Sequence, residues 1–350
     1  MPIIDALIHR GFIIHIVTNA PAFLFDSALK WTHQCHLRPL IVDVGVIQSD
    51  AITLDRTKTM DALEGFMKTD SEWICTETQW LQQNDISMIL LDAPFLPALA
   101  AKAINIPAVV VSNFTFDSMY SSLCELPTPK ETKILESVYL AYAATTNLIQ
   151  LPGEVDIPAF TKRDGLVYKV PLVVRHSTKR RDVLRAELGI PIDAQVLLIC
   201  FGGHELLVGS WSPDTVLPDD TWYGLVVGWN SKNSTSRLKS VGQNVFMPDL
   251  INCSDVVLGK AGYGLCSEVV AHNKPLLYIK RSGWAEESGL INMMNSYGHA
   301  VQMEYADFTA GRWKHTILKA VELNQTSPRG HLHTDGADKV VEVIEGLMKI

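Results

Sequence analysis

The sequence predicts an α/β protein built as two Rossmann-like domains facing a cleft, and three observations carry that expectation. Short β-branched runs alternate with longer helical patterns along the 350 residues, the arrangement that parallel strands with crossover helices require. The alternation breaks at the proline-containing stretches 152–158 and 170–171 and then begins again. Two strand-like runs of the second half end in glycines, at Gly202-Gly203 and across Gly259, Gly262 and Gly264.

Taken in order, the chain opens with an apolar helical stretch, 2–10, leading straight into a strand at 12–18. Further strands are expected at 40–43, 88–92, 108–113 and 147–151, with helices over 57–83 and 97–103. The domains therefore divide as 1–170 and 171–350. The second begins with a helix ending at Gly189 and a wholly apolar strand, 195–201. Strands follow at 224–227, 244–247, 256–258, 276–279 and 299–302, and helices at 264–272, 289–296 and 337–348. A Rossmann-like domain ordinarily opens with a strand whose following loop holds part of the ligand site. Here the helix comes first, so the N-terminal domain is expected to lack its first strand and that loop.

Composition narrows the function classes. Hydrophobic residues make up 47% and charged residues 19%, a globular balance, while the net charge of −8 disfavours nucleic acid or anionic lipid as partner. The basic run Lys179-Arg180-Arg181 reads as the solvated start of a helix. Six cysteines without a C-x-x-C pair suit a reducing compartment, and the cluster His33, Cys35, His36 lacks further ligands, so no metal is expected. The longest apolar region, 88–111, is broken by Asp92, three prolines, Lys102 and Asn105, and no leader-like segment opens the chain. A cytoplasmic protein without a transmembrane segment is expected. P-loop, nucleophile-elbow and dinucleotide motifs are all missing.

The densest constellation is VLGKAGYGLCSEVVAHNKPLLYI, residues 257–279. A strand runs into a glycine-rich turn and then a helix, which aims backbone N–H groups and the positive end of the helix dipole at the cleft, a setting for a diphosphate. Lys260 adds a cation, and Glu268, poorly placed beside a phosphate, is suited to accept ribose hydroxyls. Gly202-Gly203 repeats the device on another strand of the same sheet, so both turns can reach one ligand. Turn and packing duty alone would also account for these glycines. The acids Glu286 and Glu287 follow the strand at 276–279, on a loop that would face a sugar. Asp92 and Asp117 lie near the carboxyl ends of N-domain strands and are the candidates for a general base.

The segment VFMPDLINCSDVVLGKAGYGLCSEVVAHNKPLLYI resembles the nucleotide-sugar region of glycosyltransferase family 28, whose members have the GT-B fold. The blocks IVDVGVIQSDAITLDR, SNFTFDSMY, QLPGEVDIPAF, VPLVVR and DFTAGRW are similar, over nearly the whole chain, to the glycosyltransferase-like N-terminal domain of plant L-arabinokinases. The resemblance implies that Gly202, Gly203 and Gly262 cradle the diphosphate and that Glu268, beside Ser267, binds the ribose. It sets Phe246 and Met247 beside the uracil. Lys260 stands where that family has an arginine, keeping the charge without the bidentate fork. Glu286 and Glu287 differ from the family's sugar-facing residues, which leaves the sugar open. The family's first strand and G-H-G-x-G-H-type loop are not matched, nor is the kinase domain of the arabinokinases. What the resemblance implies is a UDP-sugar-dependent hexosyltransferase, inverting and metal-independent, needing no cofactor beyond the donor and acting on an unidentified acceptor. The alternatives are a non-catalytic nucleotide-sugar-binding or regulatory module, and a fragment of an incomplete gene model.

Overall fold

In the computed structural model, described over residues 1–350 except 51, 164, 203–210, 230–233, 243, 244 and 350, parallel strands alternate with helices in both halves. The N-terminal half runs α1 (Pro2–His9), β1 (Ile14–Thr18), α2 (Asp26–Leu29), β2 (Cys35–Pro39), α3 (Arg56–Met67), α4 (Asp70–Gln83) and β3 (Ile89–Leu91). It continues through α5 (Leu96–Ala103), β4 (Ala108–Ser112), α6 (Phe116–Leu123), α7 (Pro129–Ala143), β5 (Asn147–Gln150) and β6 (Val167–Lys169). Next come α8 (Arg181–Glu187), β7 (Gln195–Cys200), α9 (Pro213–Val216), β8 (Trp222–Val227), β9 (Leu238–Val241), α10 (Met247–Cys253) and β10 (Val256–Gly259). The chain closes with α11 (Tyr263–Ala271), β11 (Pro275–Tyr278), α12 (Glu286–Tyr297), β12 (His299–Gln302), α13 (Tyr305–Thr309), α14 (Lys314–Thr326) and α15 (Gly336–Leu347).

The C-terminal half carries one six-stranded sheet in the order β12-β11-β10-β7-β8-β9, and every pairing in it is parallel. Its central strands β10 and, beyond Gln195, β7 carry no polar side chain because helices cover both faces. The last helix leaves this sheet: Val340, Val341 and Ile344 of α15 pack with Leu7 of α1 and with Val109 and Ile149 of β4 and β5.

The N-terminal half has two sheets rather than one. Strands β1 and β2 pair only with each other, and β3-β4-β5-β6 form a separate parallel sheet. The hydrogen bonds Ile14 N to Gln34 O and Leu40 N to Thr18 O turn alternate β1 residues toward β2, so the amides of His15 and Val17 face away from it. By the same alternation Leu90 of β3 faces away from β4, since Ile89 N donates to Pro107 O.

Three sequence expectations are corrected. The strand expected at 40–43 lies at Cys35–Pro39, because β2 can extend only as far as its partner, whose register ends at Thr18 opposite Pro39. The helix expected over 57–83 is two helices, broken where Thr69 turns its hydroxyl onto the Phe66 carbonyl at 3.0 Å. The strand expected at 244–247 is instead β9 at Leu238–Val241; Met247 starts α10, with Pro248 in the first turn where its missing N–H costs nothing. Position 244 itself lies outside the described residues.

Cys35 is buried on β2 while neighbouring His36 is exposed, so the two point to opposite faces. Among the described residues no group of three His, Cys, Asp or Glu side chains is placed to hold a metal ion. No helix among them is long and apolar enough to cross a membrane.

Candidate functional site

The site begins with two adjacent strands. β7 and β10 lie side by side with Cys200 opposite Gly259, so their carboxyl ends deliver two turns to one place. A side chain at Gly259 would collide with the Cys200 carbonyl oxygen, which is why glycine ends this strand. Gly202 turns the chain at φ +73°, and a Cβ placed there would sit 3.6 Å from Lys260 Cε. The two turns are therefore in contact. Gly203 lies outside the described residues.

Gly262 is the N-cap of α11 and offers no side-chain cap to the helix. Beyond their own chain neighbours and helix backbone, no atom of the described residues lies within 4 Å of a Cβ built on Gly262 or Gly264. The first N–H groups of α11 therefore have no side-chain cap at Gly262. Lys260 is half-buried beside them and forms no ion pair among the described residues. Burial, together with the neighbouring Arg281, holds its ammonium below the ordinary lysine pKa. A half-buried cation without an ion-pair partner among the described residues, beside a helix N-terminus without a side-chain cap, is chemically compatible with an anion.

Farther along α11, Glu268 is 3% exposed, and burial pushes its carboxyl upward while Arg175 opposes the shift. Arg175 Nε donates to Glu268 Oε1 at 2.7 Å, and the same guanidinium lies 5.5 Å from the Phe246 ring centroid. Phe246 remains 40% exposed just ahead of α10, with half-buried Met247 next to it. Arg175 thus gathers an open aromatic face and a buried carboxylate into one wall. The segment carrying it is pinned to α11: Val173 N donates to Tyr263 Oη at 3.1 Å and Ser177 N to His272 Nε2 at 3.1 Å. Ser267 is absorbed within the helix, its hydroxyl bonding to the Gly264 carbonyl at 3.0 Å.

Glu286 and Glu287 begin α12, and both are buried. Glu287 accepts from Arg281 N and Arg281 Nε, each at 3.0 Å, and Arg281 in turn donates to the Ala261 carbonyl inside the glycine-rich turn. Glu286 Oε1 accepts from Asn113 Nδ2 at 3.1 Å, and Oε2 from Trp284 Nε1 at 3.0 Å. Their carboxylates are thus already engaged, one steadying the turn and the other joining the two halves. Close backbone packing adds to that junction, because any side chain at Gly289 would strike the carbonyls of Gly153 and Glu154.

On the N-terminal side, Asp92 follows the carboxyl end of β3 and is reached by solvent, although protein packs around it. That burial, offset in part by the Met1 amino group and reinforced by Glu286, raises its pKa. The next residue, Ala93, has φ +70°, a left-handed conformation that an alanine adopts only when held there; the Tyr142 hydroxyl donates to its carbonyl. Asp43, on the loop after β2, is half-buried, and burial with the charge of Asp92 raises its pKa to about 6. Asp117 is buried in the first turn of α6 and accepts from Ser118 N at 2.9 Å. Its position is that of a helix-start carboxylate.

Gly202, Lys260 and Gly262 therefore converge, and Glu268 and Phe246 form the adjoining wall. Ser267 bonds within its own helix instead, and Asp117 is buried at the start of α6. Sequence reasoning missed Arg175, Arg281, Asn113 and Asp43. Arg175 closes the VPLVVR block, and Arg281 stands three residues beyond β11, but nothing in either spacing reveals its partner. Two cavities of about 350 and 470 Å³ flank the Lys169–Glu154 ion pair at the edge of the N-terminal sheet; neither is lined by Gly202 or Gly262.

No protein-family model matches the chain. It is 32% identical over 324 residues to L-arabinokinase of Arabidopsis thaliana, covering 92% of this chain and 30% of that protein. It is 25% identical over 210 residues to the UDP-N-acetylglucosamine--N-acetylmuramyl-(pentapeptide) pyrophosphoryl-undecaprenol N-acetylglucosamine transferase of Carboxydothermus hydrogenoformans, covering 52% of this chain and 56% of that one. The chain thus spans under two thirds of the length of both relatives. Among solved structures, the kitacinnamycin glycotransferase superposes with a TM-score of 0.65 at 15% identity, covering 99% of this chain and 94% of the other.

Proposed function

We propose, for this GT-B glycosyltransferase-like protein, that the C-terminal half binds a UDP-sugar and that the chain transfers the sugar to an acceptor hydroxyl held against the N-terminal half. One observation carries the reading. The Gly202 and Gly262 turns meet around Lys260 at the open N-terminus of α11, an anion site walled on one side by Phe246, Arg175 and Glu268.

In this reading the α11 N–H groups and Lys260 hold the diphosphate and take up the charge that grows on departing UDP. Phe246 lies along the uracil. Glu268 Oε2, the oxygen that Arg175 leaves free, accepts from the ribose hydroxyls. The acceptor oxygen attacks the anomeric carbon from the opposite side, inverting it, with its proton passing to a carboxylate of the N-terminal half and no metal taking part. Glu286 and Glu287 act behind the sugar, through Asn113 and Arg281, rather than as its first contacts. The setting is a soluble cytoplasmic one.

A second reading, nucleotide-sugar binding without transfer, is favoured by one feature: β1-β2 and β3–β6 are separate sheets, so the acceptor side has no continuous floor. Thermal melting with UDP, UDP-glucose, UDP-N-acetylglucosamine, ADP and GDP tests the shared premise. The uridine compounds at millimolar concentration should raise Tm by several degrees, as ligand binding to the folded state requires. No shift, or an equal shift with ADP, would sink it. Release of UDP from a UDP-sugar then separates transfer from binding.

A further inference from the structure

The sequence offered Asp92 and Asp117 as bases, and the structure brings forward a third carboxylate that the reading above does not use. Asp43 sits on the loop that follows the carboxyl end of β2, the side of a parallel sheet where ligands lie. That loop crosses to the other half: Ile52 packs against the C-terminal core that includes Phe201 and Leu277, and Leu54 Cδ1 lies 3.6 Å from the position of a Cβ on Gly283. Gly45, two residues on, turns the chain at φ +65°, and its carbonyl accepts from the Tyr120 hydroxyl at 3.2 Å. The turn keeps Asp43 close, with Oδ1 3.9 Å from the position of a Cβ on Gly45.

Neither Asp43 nor Asp92 accepts a hydrogen bond or forms an ion pair among the described residues, although every other carboxylate named above has at least one such partner. These two unengaged carboxylates follow the carboxyl ends of β2 and β3, and Asp92 is close enough to influence the ionisation of Asp43. Repulsion between them favours holding one proton across the pair. The groups facing Asp43 are Asp92 after β3, Tyr120 on α6 and Tyr142 on α7. Asp92 in turn faces the Met1 amino group, Glu286 of α12 and Tyr263 of α11. The cation among these groups is the Met1 ammonium, which opposes the rise at Asp92, whereas burial and the charge of Asp92 set the rise at Asp43.

We infer that Asp43 is the general base of this site, with Asp92 as the neighbour that tunes it; the inference rests on the UDP-sugar reading above. With water as the simplest acceptor, the Asp43 carboxylate takes a proton from the water oxygen. That oxygen bonds to the anomeric carbon, and the bond from that carbon to the β-phosphate oxygen breaks. UDP leaves with the electron pair, and free sugar is the second product. A base titrating near neutrality combines a large ionised fraction with useful basicity, whereas an ordinary aspartate is ionised but weakly basic.

The probe is UDP-glucose and the readout is UDP release by the full chain from pH 5 to 8, alongside the UDP-induced rise in Tm. Release should climb through an acid limb near pH 6 and level off above it. Asp43→Asn should lower turnover by roughly 100-fold or more, leaving KM and the UDP response unchanged. Asp92→Asn should move the limb to lower pH, because removing the like charge eases ionisation of Asp43. Carbon-13 NMR of labelled aspartates follows the same titration without needing turnover. Asp43 titrating as an ordinary aspartate and unmoved by Asp92→Asn would overturn the inference, as would wild-type rates in Asp43→Asn. Binding of UDP without any release from UDP-glucose also overturns it while leaving the donor site intact. A wild type blind to UDP defeats the underlying reading instead.

Discussion

Arg175 Nε reaches Glu268 Oε1 at 2.7 Å, so the segment joining the two halves is bonded to the helix whose N-terminus forms the candidate donor site. Glu268 is almost wholly buried and Arg175 is its only ion-pair partner among the described residues. Arg175→Met leaves that carboxylate alone, and burial then raises its pKa further, since the arginine is what opposes the shift. A raised acid pKa in the folded state makes folding bind protons, so stability falls as pH rises from the unfolded value through the folded one. Arg175→Met should therefore lose about 1–3 kcal/mol at pH 7.5 and recover much of it near pH 5. Urea denaturation at both pH values measures this; a deficit independent of pH would show that the pairing contributes nothing.

Lys260 separates function from stability. It is half-buried with no anionic partner among the described residues, so the folded protein carries its desolvation cost unrelieved. Lys260→Met should leave Tm unchanged or slightly raised while weakening UDP binding about tenfold, roughly 1.4 kcal/mol. Paired melting and calorimetric titration test it. A variant that loses stability but keeps UDP affinity would assign Lys260 to the fold.

The two glycines of the turn should respond in opposite ways. At Gly259 an added methyl meets the Cys200 carbonyl oxygen, backbone that cannot yield, and Gly259→Ala should cost about 3 kcal/mol. At Gly262 the methyl meets no atom of the described residues within 4 Å beyond its chain neighbours, so stability should change by no more than about 1 kcal/mol while UDP affinity drops sharply. Equal effects of the two substitutions on folding and binding would contradict the division of roles.

How much of this was legible beforehand follows from what each feature depends on. The apolar strand 195–201 and the Gly-rich turn after residue 258 are local signals, and both stand in the structure as β7 and the β10–α11 turn. The strand Cys35–Pro39 was hidden because its sequence, C-H-L-R-P, has little β character and its ends are set by pairing with β1. Glu286 and Glu287 looked like a sugar-facing pair because sequence shows a carboxylate but not its partner. Asn113 lies 173 positions from Glu286, and no spacing rule reaches across that gap. Asp43 escaped notice for the same reason, since its character comes from burial in the folded chain and from Asp92 on another strand's end.

The central claim is that one nucleotide diphosphate binds where the Gly202 and Gly262 turns meet, and hydrogen exchange with and without UDP tests it most directly. Saturating UDP should slow exchange in peptides spanning residues 200–202, 245–249 and 259–268, with no change along β12. The cavities beside Lys169 and Glu154 should stay unaffected, since neither borders the turns. Protection confined to residues 148–170, or no protection at any UDP concentration, would contradict the account.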